Sequence, residues 1–344
     1  MEAIILAGGF GTRLRPLTYT RAKPLLPIQN KPMISYMIEK LPKEVDKIIL
    51  AVNYKKKQIE EYLKKKAYNV DIVVNDEPKP LGTGGAVKFA EDHITGRFLV
   101  MNSDIICSIN LSKMIRFHEE KNSVASISLW PVKNVSEFGV ADVKPDTKIV
   151  GFVEKPPQEE APSNLINAGV YCLEPMVFDY IETGKLVSME KEIFPQIIDD
   201  TNKFYGYKFE GYWMDIGRIT SYVDVHEFLL NKKNMDNFIG ENSENNGELY
   251  KSTLGKNVYI GKNCVLEKVV VLDNAKIQEG TKIYNSVIGE NSRIGSFSNI
   301  KNSAIGDNEK VDDKTKINNK IVWTQPKPEG YPDKQIGNII ETKK

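Results

Sequence analysis

The chain is poor in cysteine, in histidine and in net charge. Three cysteines, Cys107, Cys172 and Cys264, are too few for a disulfide framework, and no two stand at metal-ligand spacing. Reduced thiols in a cytoplasmic protein are the expectation. Its 47 basic and 46 acidic side chains leave a net charge of +1, which gives no nucleic-acid footprint but leaves room for a local basic pocket. No apolar run approaches the roughly 18 residues of a membrane helix. The apolar start, Ala3 to Ala7, is too short for a secretory signal and has no basic flank ahead of it. Neither secretion nor a membrane partner is expected. What is present is an ordinary globular composition, 41% hydrophobic and 27% charged over 344 residues, long enough for two domains.

From Met1 to Asn110, short apolar runs alternate with amphipathic stretches. Ala3–Ala7, Lys47–Val52 and Arg97–Met101 are almost wholly apolar, as parallel strands buried on both faces must be. Between them, Pro32–Leu41 and Lys56–Lys66 predict helices, the latter with a stripe of Ile59, Tyr62 and Leu63. A strand over Val70–Val74 and a helix from near Thr83 complete a βαβα layout with a mixed, mostly parallel sheet. From Ala125 the pieces shorten into strands at Ala125–Leu129, Phe138–Val143, Ile149–Glu154 and Ala168–Leu173, and a helix over Ile219–Leu230 follows. The expected organisation is an α/β domain over 1–232, a polar linker over 233–249, a repeat domain over 250–322 and a tail over 323–344.

The repeat domain rests on periodicity. Aliphatic residues fall at Leu254, Ile260, Leu266, Leu272, Ile277, Ile283, Ile288, Ile294, Ile300, Ile305, Val311 and Ile317. Steps of six broken by an occasional five suit neither a helix nor a plain hairpin. They predict a parallel β-helix whose sides each contribute one inward aliphatic, with glycine or asparagine at the corners. The expectation is one coil per 18 residues, about three and a half turns; a β-sandwich is the alternative. The tail contains Pro326, Pro328 and Pro332 and no periodic core, and Trp323 is expected to cover the open end.

Several short segments carry chemistry. Gly8-Gly9-Phe10-Gly11-Thr12-Arg13 leaves a buried strand directly, and such a loop either cradles phosphate oxygens with backbone amides or makes a tight turn. It is neither a Walker loop nor a dinucleotide fingerprint. Arg13, Arg15, Arg21 and Lys23 form a basic cluster that suits a triphosphate and a sugar phosphate, or a solvated loop. Pro24-Leu25-Leu26-Pro27 stiffens the chain after Lys23. Asp104 follows an apolar strand at the edge where ligands collect in open sheets, and is a metal carboxylate or an Asx turn. Asp215, beside Tyr212 and Trp213, is its counterpart or a helix cap. Lys155 is a phosphate contact or the partner of Glu154, and Asn167 meets sugar hydroxyls or caps a strand.

These motifs, in this order, resemble the sugar-1-phosphate nucleotidyltransferases. The resemblance runs through Leu6 to Pro32, Glu77-Pro78, Leu81–Ala86, Asn102-Ser103-Asp104, Phe138-Gly139-Val140, Phe152–Pro156, Asn167–Tyr171 and Gly211–Gly217, and with the repeats covers nearly the whole chain. It implies a Rossmann-like α/β nucleotidyltransferase domain followed by a left-handed β-helix. It also implies that Leu6, Ala7, Gly8, Gly9, Gly11, Thr12 and Arg13 hold the nucleotide with Glu77, Pro78, Gly82 and Thr83. Lys23 and Arg13 would neutralise charge as pyrophosphate leaves, and Asp104 and Asp215 would hold Mg²⁺. Gly139, Glu154, Lys155, Asn167 and Gly169 would form the sugar-phosphate pocket. Ser103 stands where the family commonly has glycine, and no proline opens the helix after Asp215.

The expected reaction transfers a nucleotidyl group from a nucleoside triphosphate to a sugar 1-phosphate. The segment around Glu77 resembles the guanylyltransferases that use mannose 1-phosphate; the alternatives are transfer from UTP or dTTP to glucose 1-phosphate, and an inactive regulatory homologue. An acyltransferase site in the repeats is not expected, since His93, His118 and His226 all lie outside them. A homo-oligomer built through the β-helix is the expected assembly.

Overall fold

The computed structural model describes residues 1–328 and the backbone of the strand Ile339–Ile340. The expected Pro332 lies outside the described residues, as does most of the tail. A nine-stranded mixed sheet draws its strands from the chain between Glu2 and Lys208. Its centre is parallel: Glu2–Leu6 runs between Lys47–Val52 and Phe98–Asn102, and Asp71–Asp76 lies outside Lys47–Val52. Burial on both faces explains the composition of these strands, since Ala3, Ile4, Ile5, Ile48, Ile49, Leu50, Leu99 and Val100 are all inaccessible to solvent. The remaining strands add the antiparallel part, apart from Phe204–Lys208, which runs parallel to Ala125–Pro131. Leu165–Leu173 pairs with Phe98–Asn102, Ala125–Pro131 and Gly139–Val143, and Ile149–Glu154 pairs with Gly139–Val143. Every strand expected from the sequence is present. The helices Lys56–Lys65 and Gly82–Phe89 also stand where the periodicity puts them.

Compact units do not follow chain order. One unit comprises Met1–Gly9 and Tyr36–Trp213; the other comprises Phe10–Ser35 and Met214–Lys344. The second holds the loop with Arg13 and Lys23, the helix Ile219–Lys232 and the repeats. Within it the Tyr222 hydroxyl donates to the Pro27 carbonyl, Lys233 Nζ donates to Gln29 at 2.6 Å, and Lys268 pairs with Glu227 at 3.1 Å.

The repeats form a parallel β-helix, with three corrections. The coil is one position shorter than expected. Its register, Leu254↔Val271↔Ile288↔Ile305↔Val322, advances by seventeen positions per coil, the separation at which Asn257 also pairs with Asn274. From Leu254 the inward positions lie six residues on at Ile260, six further at Leu266 and five further at Val271, so Val271 takes the place expected for Leu272 in the core. One side of each coil is a residue short, and parallel pairing then imposes the same shortening on every neighbour. Secondly, the linker expected over 233–249 carries strands. Phe238–Ile239 pairs with Thr253–Leu254, and Glu244–Asn245 with Tyr259–Ile260. Two residues each, set in a polar stretch rich in asparagine and glycine, they give no periodic signal of their own. Thirdly, the tail is not wholly irregular, since Ile339–Ile340 pairs with Ile321–Val322. Asn257, Asn263, Asn274, Asn291 and Asn308 occupy left-handed corners. Two of these corners are tied to the next coil by amide pairs, Asn257 to Asn274 at 3.0 Å and Asn291 to Asn308 at 3.1 Å. Among the described residues no helix is long and apolar enough to cross a membrane.

Candidate functional site

In the first unit the expected residues gather along the carboxyl edge of the parallel strands. Leu6 ends the central strand opposite Ala51 and Asn102, and the Ala7 N–H donates to the Ala51 carbonyl at 2.9 Å. Gly8 lies against Glu77: a Cβ there would stand 3.2 Å from Glu77 Oε1. A Cβ at Gly9 would meet nothing within 4 Å, so protein packing does not demand its glycine.

Glu77 is buried, which removes the surface position as a reading. Its backbone N–H donates to the Val52 carbonyl, and its Oε2 accepts the Leu81 N–H at 3.2 Å. Burial pushes its carboxyl above the usual range and the Asp76 charge adds to that, against the Leu81 N–H. Glu77 therefore fixes the entry to the helix Gly82–Phe89. Pro78 next to it is exposed. The glycines of that helix face protein, not space. Gly82 has φ +74, and a Cβ there would stand 2.5 Å from the Val187 carbonyl oxygen, while one on Gly85 would stand 2.5 Å from that of Lys185. The N–H groups of Gly84 and Gly85 both donate to Val187.

Asp104 follows Phe98–Asn102, and the Ser103 N–H donates to the Leu6 carbonyl at 3.2 Å. Next along the edge is Gly169, where a Cβ would stand 2.7 Å from Asn102 Nδ2. Asn167 sits at a register shift in its strand. Both ends of its amide are engaged: Oδ1 accepts the Gly169 N–H at 2.9 Å and Nδ2 donates to the Tyr171 hydroxyl at 2.8 Å. Gly139 pairs with Glu154 across the outer hairpin, and a Cβ on it would stand 2.8 Å from Glu154 Oε2. Lys155 has φ +54, a costly conformation for lysine, held by its N–H on the Phe138 carbonyl. Its side chain is 60% exposed and its Nζ lies 3.3 Å from Glu154. The ion pair anticipated as the ordinary alternative is thus in place.

One group escaped the sequence reading. Glu190 accepts hydrogen bonds from Thr83 Oγ1 at 2.7 Å, Ser188 Oγ at 2.8 Å and the Tyr171 hydroxyl at 3.2 Å. It links the Thr83 helix to Asn167 through Tyr171, whose hydroxyl burial and the Glu190 charge hold protonated. In the run Glu190-Lys191-Glu192 nothing local distinguishes this carboxylate from a solvated one.

The second unit holds Gly11, Thr12, Arg13, Lys23 and Asp215. Gly11 has φ +66 and lies against Thr18 and Lys23, with the Thr18 hydroxyl donating to the Gly11 carbonyl at 2.9 Å. Thr12–Leu14 forms a single 3₁₀ turn with Arg13 exposed. A Cβ at Gly217 would stand 2.8 Å from Asp215 Oδ2 and 3.0 Å from Arg13 Nη2, so this pair converges on a position without a side chain. Asp215 is not the helix cap, because Ser221 Oγ accepts the Arg218 N–H at the start of Ile219–Lys232. The basic cluster divides. Arg15 is buried with its guanidinium 5.6 Å above the Tyr19 ring, and Arg21 Nη2 lies 2.7 Å from both Glu290 and Asp307.

Among the described residues no three His, Cys, Asp or Glu side chains gather as a metal group. A single carboxylate from each of two segments is what Mg²⁺ takes when substrate phosphates and waters complete its shell. Asp104 in the first unit and Asp215 in the second each offer one carboxylate of the kind that could hold such an ion.

Comparison with known proteins gives the family. The nucleotidyl transferase family model matches residues 2–232, and the GMPPB C-terminal domain model matches residues 249–329. A mannose-1-phosphate guanyltransferase of Schizosaccharomyces pombe is 39% identical over 274 residues, 77% of this chain and 74% of that protein. One from Aspergillus oryzae is 36% identical over 318 residues, 84% and 86%. Among solved structures, HddC from Yersinia pseudotuberculosis complexed with GMP-PN has a TM-score of 0.56 and 30% identity, covering 66% of this chain and 99% of that one. The chain belongs to the nucleotidyl transferase family, among the sugar-1-phosphate nucleotidyltransferases.

Proposed function

We propose that the protein is a Mg²⁺-dependent guanylyltransferase that joins GTP and mannose 1-phosphate into a nucleotide-diphospho-sugar. The observation that carries the reading is likeness over both domains to relatives named for that reaction. A phosphate oxygen of the sugar 1-phosphate attacks the α-phosphorus in line; as that P–O bond forms, the bond to the β-phosphate bridge breaks and pyrophosphate leaves with the electron pair. The nucleophile is already anionic, so no covalent enzyme intermediate is needed. The protein's task is to bring like charges together and stabilise the charge that develops. Arg13 and Lys23 serve the triphosphate in this reading. Leu6, Ala7, Gly8, Gly9, Gly11 and Thr12 line its approach, and the open space beside Gly9 supports that role. Asp104 and Asp215 would hold Mg²⁺, which supplies charge neutralisation on the phosphate oxygens. Glu154, Lys155, Asn167, Gly139 and Gly169 serve the sugar phosphate.

Base choice is assigned to the Glu77–Thr83 segment. Guanine presents N–H donors at N1 and N2, where uracil or thymine presents one ring N–H, and a buried acceptor left without its donor discriminates by about 1–3 kcal/mol. Glu77 serves either directly or by holding the Leu81 N–H. The reading includes assembly through the β-helix, which exposes Ile239, Tyr250 and Phe297, to be checked by light scattering. It also includes a cytoplasmic location, in keeping with three free, buried cysteines.

The test is pyrophosphate release across a matrix of triphosphates and sugar 1-phosphates. GTP with mannose 1-phosphate should have the highest kcat/KM; a tenfold advantage for UTP or dTTP with glucose 1-phosphate overturns the substrate pair. Binding of nucleotide without any pyrophosphate release would favour a regulatory homologue. Asp104→Asn and Asp215→Asn should each lower kcat by about a hundredfold, without adding, because either loss disrupts the same ion. Near-normal Mg²⁺-dependent turnover in either variant removes the metal assignment.

A further inference from the structure

The loop from Phe10 to Lys23 does not end in solvent. Its far side is fastened to the β-helix by three kinds of contact. Arg21 Nη2 is 2.7 Å from Glu290 Oε2 and 2.7 Å from Asp307 Oδ2, and the Thr20 hydroxyl donates to the same Asp307 oxygen. The Tyr19 ring lies 5.0 Å from that of Trp323, centroid to centroid. A Cβ at Gly306 would stand 2.5 Å from the Trp323 ring and 3.2 Å from Pro16 Cγ, so the loop and the tryptophan close over that glycine. Trp323 therefore stacks on the Gly306 corner and on the Tyr19 ring.

The clamp is itself held in place. The Asp307 side chain is 4% exposed, and its Oδ1 accepts the Glu290 N–H at 2.7 Å. The Asp307 carbonyl accepts from Gln325 at 2.6 Å, and Thr324 donates its N–H and hydroxyl to Glu309, each at 2.8 Å. Burial raises the Glu290 carboxyl above its usual range, and Arg21 opposes that shift while the Asp307 charge adds to it. Arg21 is thus the cation shared by both acids, and the more enclosed of them, Asp307, would lose its buried ion-pair partner without it. Within the loop, Gly11 touches Lys23, and Lys23 follows Arg21 by two residues. An anchor at Arg21 consequently limits where Lys23, and the turn bearing Arg13, can go.

We propose that Glu290, Asp307 and Trp323 of the β-helix are positioning residues for the nucleotide-phosphate loop, acting through Arg21, Thr20 and Tyr19. The β-helix is then part of the catalytic apparatus, besides any role in assembly. This rests on the assignment of Arg13 and Lys23 to the triphosphate, and the experiment separates the two. Full-length wild type, Arg21→Gln, Arg21→Lys and the pair Glu290→Gln with Asp307→Asn are compared by steady-state kinetics, light scattering, thermal unfolding and hydrogen exchange over residues 10–25. The expected result is a KM for GTP raised about tenfold, a KM for mannose 1-phosphate within twofold, unchanged mass and faster exchange in the loop. Arg21→Lys should recover part of the loss, and combining Arg21→Gln with the acid pair should do no more damage than the worse parent. Unchanged exchange with an unchanged KM for GTP overturns the proposal, as does an equal rise in both KM values accompanied by a fall in unfolding temperature or mass. A wild type that releases no pyrophosphate would instead remove the reading of the loop as a phosphate site, and the exchange data would still decide whether the anchor constrains it.

Discussion

Two glycine-rich segments follow parallel strands in this protein, and Gly9 of the first stands in a different setting from the glycines of the second. At Gly82, Gly84 and Gly85 the missing side chains admit another stretch of the same chain, Lys185–Val187, to within hydrogen-bonding distance of the helix. At Gly9 an added Cβ would meet nothing within 4 Å. A glycine run on its own is silent on this point, because close approach by backbone and close approach by ligand make the same demand for a position without Cβ. Only the neighbours distinguish them. Glu77 touches both segments, with Oε1 beside Gly8 and Oε2 on the Leu81 N–H.

The largest effect expected from this contrast is on stability, at Gly82. Valine there combines a left-handed backbone with a Cβ 2.5 Å from a carbonyl oxygen, so Gly82→Val should destabilise the fold by about 4 kcal/mol. Chemical denaturation measures it, and a loss below about 1 kcal/mol would show that the segment has room to shift. Gly9→Val should do the reverse. Its unfolding free energy should stay within about 0.5 kcal/mol of wild type, while kcat/KM falls by about a hundredfold, or about 2.7 kcal/mol, because the side chain enters the space assigned to phosphate. Retained turnover in that variant would make the first loop a turn and not a cradle.

The smallest effect expected is at the residue shared by both. Glu77→Gln keeps an oxygen for the Leu81 N–H but loses the charge, and should reduce the preference for GTP over UTP by about tenfold. It should also change the pH dependence of stability. The folded-state carboxyl is raised above its unfolded value, so the wild type binds this proton more tightly when folded, and its stability falls as pH rises from the ordinary carboxylate range through the raised value. The glutamine variant should lack that decline. Identical pH–stability curves for the two proteins would place the cause elsewhere.

Much of the architecture was legible before any coordinates. Central strands such as Lys47–Val52 announce burial on both faces, and the aliphatic steps after Leu254 announce a coil. The site was legible as a set of residues whose order carried the resemblance. Less legible were the features that depend on partners distant in sequence. The strands at Phe238–Ile239 and Glu244–Asn245 are too short and too isolated in a polar stretch to read as strands, and pairing with the next coil makes them so. Glu190 reads as one acid in a charged run, although Thr83 lies 107 residues away and donates to it. Asn167 reads as a ligand-facing amide, although Gly169 and Tyr171 already use both its ends.

By itself the sequence determined what depends on local composition and period: the alternation of strand and helix, the mixed sheet, the change to a coiled repeat after the middle of the chain, and the residue types available for phosphate chemistry. Tertiary structure decided how those residues are divided. It set the coil at seventeen positions because parallel register must close on the neighbouring coil, and it committed Arg21 to Glu290 and Asp307 while Arg13 stayed exposed. Four basic residues within eleven positions carry the same charge in the sequence. Which of them meets a carboxylate 269 or 286 residues further on is settled only when the loop and the β-helix pack together.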